Sequence, residues 1–198
     1  VDIANNNLPA YSFYTPNINN DGHDTNGSYA GAWLDGFLGS VLGNASFMNE
    51  TLVLITFDEA ENYTIRNQVW SCLIGGAIPA RLRNTTDNTF YTHYSALHTV
   101  ELNWGLGSLN RSDANATLAN IFEFATRPLN YTNVKVTNIP LMNATVTGLL
   151  TNQSYNATHN GSAGGSGSSS GAVSTDIGHL FAAAVLSAVA AVGVPYLF

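Results

Sequence analysis

Three short polar segments stand out in a chain that is 45% apolar and only 10% charged. The sharpest is Asp58-Glu59, which directly follows the run Thr-Leu-Val-Leu-Ile-Thr-Phe at 51–57. A continuous β-branched and apolar run suits a strand buried on both faces, as in a parallel sheet covered by helices. Ligands of such sheets bind beyond the carboxyl ends of the strands. Adjacent carboxylates there repel one another unless a cation or a basic group lies between them. The whole chain holds only six Lys and Arg, so a hard divalent cation is the simpler partner. The competing expectation is that both acids are merely solvated where the strand exits. Glu61 and Asn62 follow, and Asn62 opens an N-x-Ser/Thr triplet, which turns that side outward.

The second segment, Asn17 to Asp24, reads Asn-Ile-Asn-Asn-Asp-Gly-His-Asp after Thr15-Pro16. The proline and the Asp21-Gly22 pair place it on a loop. His23 there could bind a metal or donate to an anion; alternatively, the Asn and Asp side chains only cap the turn. The third segment is Tyr91-Thr92-His93-Tyr94-Ser95. It sets His93 at the start of a helix, where backbone N–H groups and the dipole favour an anion. An imidazole beside such a site can bond a phosphate or complete a metal shell. His98, five residues on, is expected to face solvent. Arg81 and Arg83 either meet an anionic substrate or serve as surface counter-charges.

These groups need elements to hold them. Tyr29, Trp33, Phe37 and Val41, four apart, predict an amphipathic helix over Tyr29–Leu42. Val69–Ile74 reads as a second buried strand, with Cys72 as core filler or as a partner for a cysteine outside the chain. Leu97, Val100 and Trp104 predict a helix over Tyr94–Trp104. Asp113 is expected to cap another over Ala114–Ala125, burying Leu118, Ile121, Phe122 and Phe124. Helices alternating with buried strands indicate an α/β sandwich. That globular part spans 1–126. Residues 127–160, rich in Asn and Thr, read as an irregular, sugar-bearing surface. A Gly/Ser linker and spacer fill 161–179, and an uncharged apolar tail runs from 180 to 198.

Solubility in so weakly charged a chain must come from other groups. Twelve of its 24 asparagines open an N-x-Ser/Thr triplet, against about four expected by chance. They are Asn26, Asn44, Asn49, Asn62, Asn84, Asn110, Asn115, Asn130, Asn143, Asn152, Asn156 and Asn160. Such an excess predicts a glycosylated surface and passage through the secretory lumen. The chain opens as Val-Asp-Ile-Ala with no signal segment, so the expectation is the C-terminal portion of a longer precursor. Small residues, a polar spacer and a terminal apolar tail form a glycosylphosphatidylinositol (GPI) attachment pattern, with Ser168, Ser169 or Ser170 as acceptor. The alternative, a spanning helix, normally carries Lys or Arg on its cytoplasmic side. The expected location is therefore secreted or cell-surface, with membrane contact through a lipid anchor. A net charge of −7 leaves no cationic face for nucleic acid, and one cysteine makes no internal disulfide.

Together and in order, the segments Thr-Pro-Asn-x-x-Asn-Asp-Gly-His-Asp, Leu-Val-Leu-Ile-Thr-Phe-Asp-Glu, Thr-Thr-Asp-Asn-Thr-Phe-Tyr-Thr-His-Tyr-Ser-Ala-Leu and Asn-Trp-Gly-Leu-Gly resemble the phosphoesterase family. That family holds fungal secreted acid phosphatases and bacterial phospholipases C. The resemblance covers residues 8–110 and implies the C-terminal part of an alkaline-phosphatase-like α/β sandwich. By it, Asp58 and Glu59 would bind a divalent metal ion of unspecified identity. His23 and His93 would be catalytic, and Asn20 and Asp24 would contact the substrate, a phosphate ester. The implied reaction is in-line displacement at phosphorus through a phospho-enzyme that water hydrolyses, the two histidines steadying phosphoryl oxygens or protonating the leaving alkoxide. Imidazoles that are cationic below about pH 6.5 would suit acid conditions, whereas metal ligation would demand their neutral form. The family's Glu-Asn metal pair and its Ser or Thr nucleophile have no match here, so the N-terminal half of the same domain is an expected partner. The alternatives are a phospholipase C-type phosphodiesterase and a non-catalytic, GPI-anchored wall glycoprotein.

Overall fold

The computed structural model describes residues 3–5, 7–60 and 67–139, with the backbone of three further strands at 145–147, 154–156 and 186–193. Its centre is strand β2, Thr51–Phe57, preceded by β1 (Tyr11–Tyr14), α1 (Gly27–Leu42) and α2 (Ala45–Asn49). Six successive residues of β2 are buried, as its β-branched sequence predicts. Alternation of side chains divides them between two faces. Val53 and Ile55 pack under Trp33, Leu34, Phe37 and Leu38 of α1 and Phe47 and Met48 of α2. On the opposite face, Leu52 joins Ala77, with Val100 and Trp104 of α3 (His93–Trp104) and Phe122 and Phe124 closing over them. Helices cover both faces of the strand, which is an α/β arrangement.

The neighbours of β2 are not those of a parallel sheet. The order is β1-β6-β2-β3, with β3 at Ser71–Ile74 and β6 at Leu186–Gly193. Every pairing is antiparallel: Val53 faces Ile74, Ile55 faces Cys72, and Leu54 faces Ala190. The chain leaves β2 at Phe57 and runs back beside it from Ser71, in the sense opposite to that of a parallel crossover. Two-sided burial therefore came from helices on both faces, not from strand direction. Cys72, half-buried on β3, has its thiol pushed up by burial, in keeping with a core filler. The turn out of β3 passes so close to β2 that a Cβ on Gly75 would lie 1.9 Å from the Thr51 carbonyl oxygen.

Both forecast helices on either side of β2 form. Asn26 caps α1 by accepting from Tyr29 N, and Asn44 caps α2 by accepting from Phe47 N. Thr92 and Ser95 make a reciprocal capping box at the start of α3. The helix expected over Ala114–Ala125 does not form. Asp113 points its carboxylate back, accepting from Ser108 Oγ, Leu109 N and Arg111 N, so it caps nothing downstream. Side chains then take over the backbone bonding: Asn133 accepts from Ile121 N, and Asn120 exchanges bonds with Val134. Only a short α4, Glu123–Thr126, remains. Ile121 is nevertheless fully buried, and Phe122 and Phe124 reach the core as expected.

Beyond residue 126 the expectation of wholly irregular chain needs correcting, because β4 (Thr145–Thr147) and β5 (Ser154–Asn156) pair antiparallel. Alternating Thr and Val in β4 carry the β-propensity that allows it. The Gly/Ser stretch at 161–179 and its anchor serines Ser168, Ser169 and Ser170 lie outside the described residues. Part of the apolar tail is described as β6, a strand rather than a helix. Among the described residues no helix is long and apolar enough to cross a membrane.

Candidate active site

The three polar segments converge at the carboxyl end of β2. Asp58 leaves the strand exposed, with Glu59 half-buried behind it. The Asp58 backbone carbonyl accepts a 2.7 Å hydrogen bond from His93 Nε2, across 35 residues of sequence. A carbonyl can only accept, so His93 carries a proton on Nε2 and keeps Nδ1 as its other polar atom. His93 occupies the first turn of α3, and that end is pinned twice. Thr92 Oγ1 accepts from Tyr94 N and donates to the Leu118 carbonyl at 2.6 Å. Tyr91 OH donates to Asp87 at 2.6 Å and accepts from Glu123 N. Burial alone would push Asp87 up, but the bonds from Tyr91 and Thr89 outweigh it and hold that carboxyl below its usual range. Half-buried Tyr91 beside it is pushed far above the ordinary tyrosine range, first by desolvation and then by its bond to Asp87.

The Asn17–Asp24 loop divides its labour. Asn17 Oδ1 accepts from the backbone N–H groups of Asn19 and Asn20, and buried Asp21 accepts from His23 N at 2.9 Å. The turn-capping role foreseen for Asn and Asp is thus taken by these two. His23 stays exposed, its Nδ1 donating to Asp24 at 2.9 Å. That bond is the main cause of an imidazole pKa raised above the usual histidine range. The charges of Asp24, Asp21 and Glu59 add to it, against an opposing effect of burial. Glu59 therefore lies within electrostatic reach of His23, which joins the loop to the Asp58-Glu59 corner. Asp24, read as a substrate contact, is bonded to His23 and orients it. Asn20 is half-buried on the same loop, tied by its backbone to Asn17.

Other expectations fall away from this corner. Arg81 and Arg83 are exposed on the turn after β3, and neither forms an ion pair among the described residues. His98 does not face solvent. It is half-buried, with Nδ1 donating to the Ala119 carbonyl at 2.6 Å and its ring edge-on to Tyr131. The chain turns back over α3 after residue 113, and no helical period reveals that. The supports Thr92 and Tyr91 were also missed; the Thr-x-x-Ser capping pattern before the helix was the available signal. Among the described residues, no three His, Cys, Asp or Glu side chains converge closely enough to hold a metal ion. Asp58 and Glu59 offer hard oxygen donors, but two adjacent carboxylates alone do not complete a coordination shell.

Residues 1–107, which include the whole of this corner, match the family model described as the phosphoesterase family. The chain belongs to the phosphoesterase family. This phosphoesterase chain is 48% identical over 151 residues to a probable acid phosphatase of Kluyveromyces lactis, covering 76% of the chain and 35% of that relative. It is 44% identical over 156 residues to an acid phosphatase of Aspergillus niger, covering 78% of the chain and 37% of the relative. A phosphatidylinositol-3-phosphatase of Mycobacterium tuberculosis is 36% identical over 99 residues, 50% of the chain and 31% of the relative. The phosphoesterase chain thus spans about a third of the length of the curated relatives it matches. No solved structure matches it.

Proposed function

We propose that this chain carries one side of the active site of a phosphoric monoester hydrolase of the acid-phosphatase type. The observation that supports it best is the 2.7 Å bond from His93 to the Asp58 carbonyl, which locks two family segments into one corner beside His23. His23, its imidazole pKa raised by the bond to Asp24, is the group suited to hold phosphoryl oxygens or to protonate a leaving alkoxide in mildly acid solution. His93, fixed by its Nε2 bond at a helix start, offers Nδ1 to the substrate, as a donor once protonated. Asn20 lies on the same loop and is read as a further substrate contact.

In this reading Asp58 and Glu59 supply two ligands to a divalent cation. When bound, the cation would offset charge developing on the phosphoryl group. Its remaining ligands and the nucleophile would come from the part of the relatives' length that this chain does not span, and the complete domain would be an alkaline-phosphatase-like sandwich. Monoester rather than diester hydrolysis is favoured because the matched fungal relatives are acid phosphatases.

Secretion and glycosylation belong to the same proposal. Asn26, Asn49, Asn84, Asn110, Asn115 and Asn130 are all exposed, and Asn44 is half-buried. Asn84, Asn110 and Asn130 take left-handed backbone conformations, which asparagine adopts more readily than most residues. GPI anchoring at Ser168 to Ser170 rests on the sequence pattern alone. The deciding experiment is hydrolysis of p-nitrophenyl phosphate and bis-p-nitrophenyl phosphate by the intact protein and its Asp58→Asn variant. The expected result is preference for the monoester and a loss of about 10²-fold or more in the variant. Wild-type rate with unchanged metal content in Asp58→Asn would remove the assignment.

A further inference from the structure

Beside the Asp58-Glu59 corner stands an aromatic side chain that the phosphatase reading does not use. Trp70 is 56% exposed, whereas Trp33 and Trp104 are half-buried against the two faces of β2. An open indole forgoes one of the largest apolar burials a side chain can make. The strands fix its place. Thr56 of β2 faces Ser71 of β3, their hydroxyls 2.6 Å apart, so Phe57 and Trp70 oppose one another just beyond. Phe57 N donates to the Trp70 carbonyl at 3.4 Å. Opposed residues put their side chains on one face, and these two rings meet with centroids 6.4 Å apart, tilted by 56°. Past Asp58 and Glu59, Asn67 Oδ1 accepts from Ala60 N at 2.5 Å and ties the exit of β2 to the approach to β3. Trp70 is thus held one residue step along the ladder from Asp58.

What an indole can do there follows from its position. A phosphate ester whose phosphoryl group sits among Asp58, Glu59, His23 and His93 must send its leaving group outward, past the rim of the corner. Trp70 offers that group a broad π face beside charged side chains. A short aliphatic alcohol gains little from such a face, whereas an aromatic ring stacks on it. Stacking tolerates many ring types, because every ring has a π face. A quaternary ammonium group is best held by a cage of several rings. Here one open indole is backed by half-buried Phe57, which makes a platform rather than a cage.

We infer that Trp70 is a specificity-determining residue that stacks on the leaving group, so that the site prefers phosphate monoesters whose alcohol carries an aromatic ring. This rests on the phosphatase reading and names its substrate class. The test uses the intact protein with 2-phenylethyl phosphate and n-butyl phosphate, two primary alkyl esters, so that ring stacking rather than leaving-group strength separates them. Trp70→Ala should lower the ratio of their kcat/KM values about tenfold, chiefly through KM for the aromatic ester, and Trp70→Phe should keep most of the ratio. A second arm needs no turnover. The phosphonate analogue of the aromatic ester, whose C–P bond is not hydrolysed, should shift tryptophan emission saturably. n-Butylphosphonate should not, and the shift should vanish in Trp70→Phe. An unchanged ratio in Trp70→Ala, or an equal fall for both esters, would overturn the inference while leaving the phosphatase reading in place. No turnover of either ester by the wild type would remove that reading instead. The emission arm then decides alone: a shift lost in Trp70→Phe supports stacking, and no shift overturns it.

Discussion

Asp58 and Asp113 are both aspartates beside α3, and the molecule treats them oppositely. Asp58 is exposed at a strand end, and among the described residues it bonds through its backbone, to His93. Asp113 is fully buried, and its side chain gathers three donors that fix the chain reversal after α3. The difference teaches where to look for chemistry in a weakly charged chain. A carboxylate satisfied by local hydrogen bonds holds structure together. One presented by a rigid strand without such bonds is available to a ligand.

The largest expected effect separates the two directly. In the intact protein, Asp58→Asn should cost activity by about 10²-fold or more while shifting stability by no more than about 0.5 kcal/mol. Asp113→Asn should do the reverse, lowering the melting temperature clearly and sparing turnover below it. Paired activity and thermal-melt measurements check this, and equal effects on both quantities for both variants would break the comparison. His93 sits between the extremes, because it joins the Asp58 corner to the helix start. His93→Ala should lower turnover by about 10²- to 10⁴-fold, with a smaller change in melting. A variant that melts early and retains its rate would make His93 a brace rather than a participant.

Buried amide pairing around the reversal is testable next. Asn120 is 1% exposed and bonds to Phe90, to the Val134 carbonyl and to Val134 N. Asn120→Ala should destabilise by about 2–4 kcal/mol, read from denaturant unfolding. The acid limb of the stability curve comes after it. Ser108 first, then the Arg111 and Leu109 N–H groups, hold Asp113 below the usual carboxylate range despite burial. A depressed carboxyl pKa adds stability above the unfolded value, and that stability is lost as pH falls through the folded one. Asp113→Asn should therefore flatten the acid limb.

The smallest effect lies at His23. Its hydrogen bond to Asp24 raises the imidazole pKa, so Asp24→Asn should return it toward the ordinary value in a proton NMR titration. A raised histidine pKa stabilises below the unfolded value and loses that contribution as pH rises through the folded one. Because both side chains are nearly half exposed, the stability change should be slight. The informative reading is the pH profile of turnover, whose limb should move to lower pH in Asp24→Asn.

Legibility in the sequence followed the range of the interactions. Helices α1 and α3 were readable because their apolar residues recur every three or four positions, and β2 because six buried residues are consecutive. Failures clustered where a side chain reached outside its own segment. Asp113 looked like a helix cap, yet its oxygens turn back to Ser108, Leu109 and Arg111. His98 looked solvent-facing, yet the chain folds over it so that Ala119 and Tyr131 contact the ring. Strand direction was misread because burial on two faces is common to parallel and antiparallel strands once helices cover both.

Sequence alone determined that Asp58-Glu59 would stand at a strand end and that His93 would open a helix. Those are consequences of local period, capping and composition, which act over a few residues. Only the tertiary structure decided that His93 bonds to Asp58, that Glu59 lies within reach of His23, and that Asp113 turns back to Ser108, Leu109 and Arg111. These depend on how distant segments close on one another, through contacts whose energies no single segment contains.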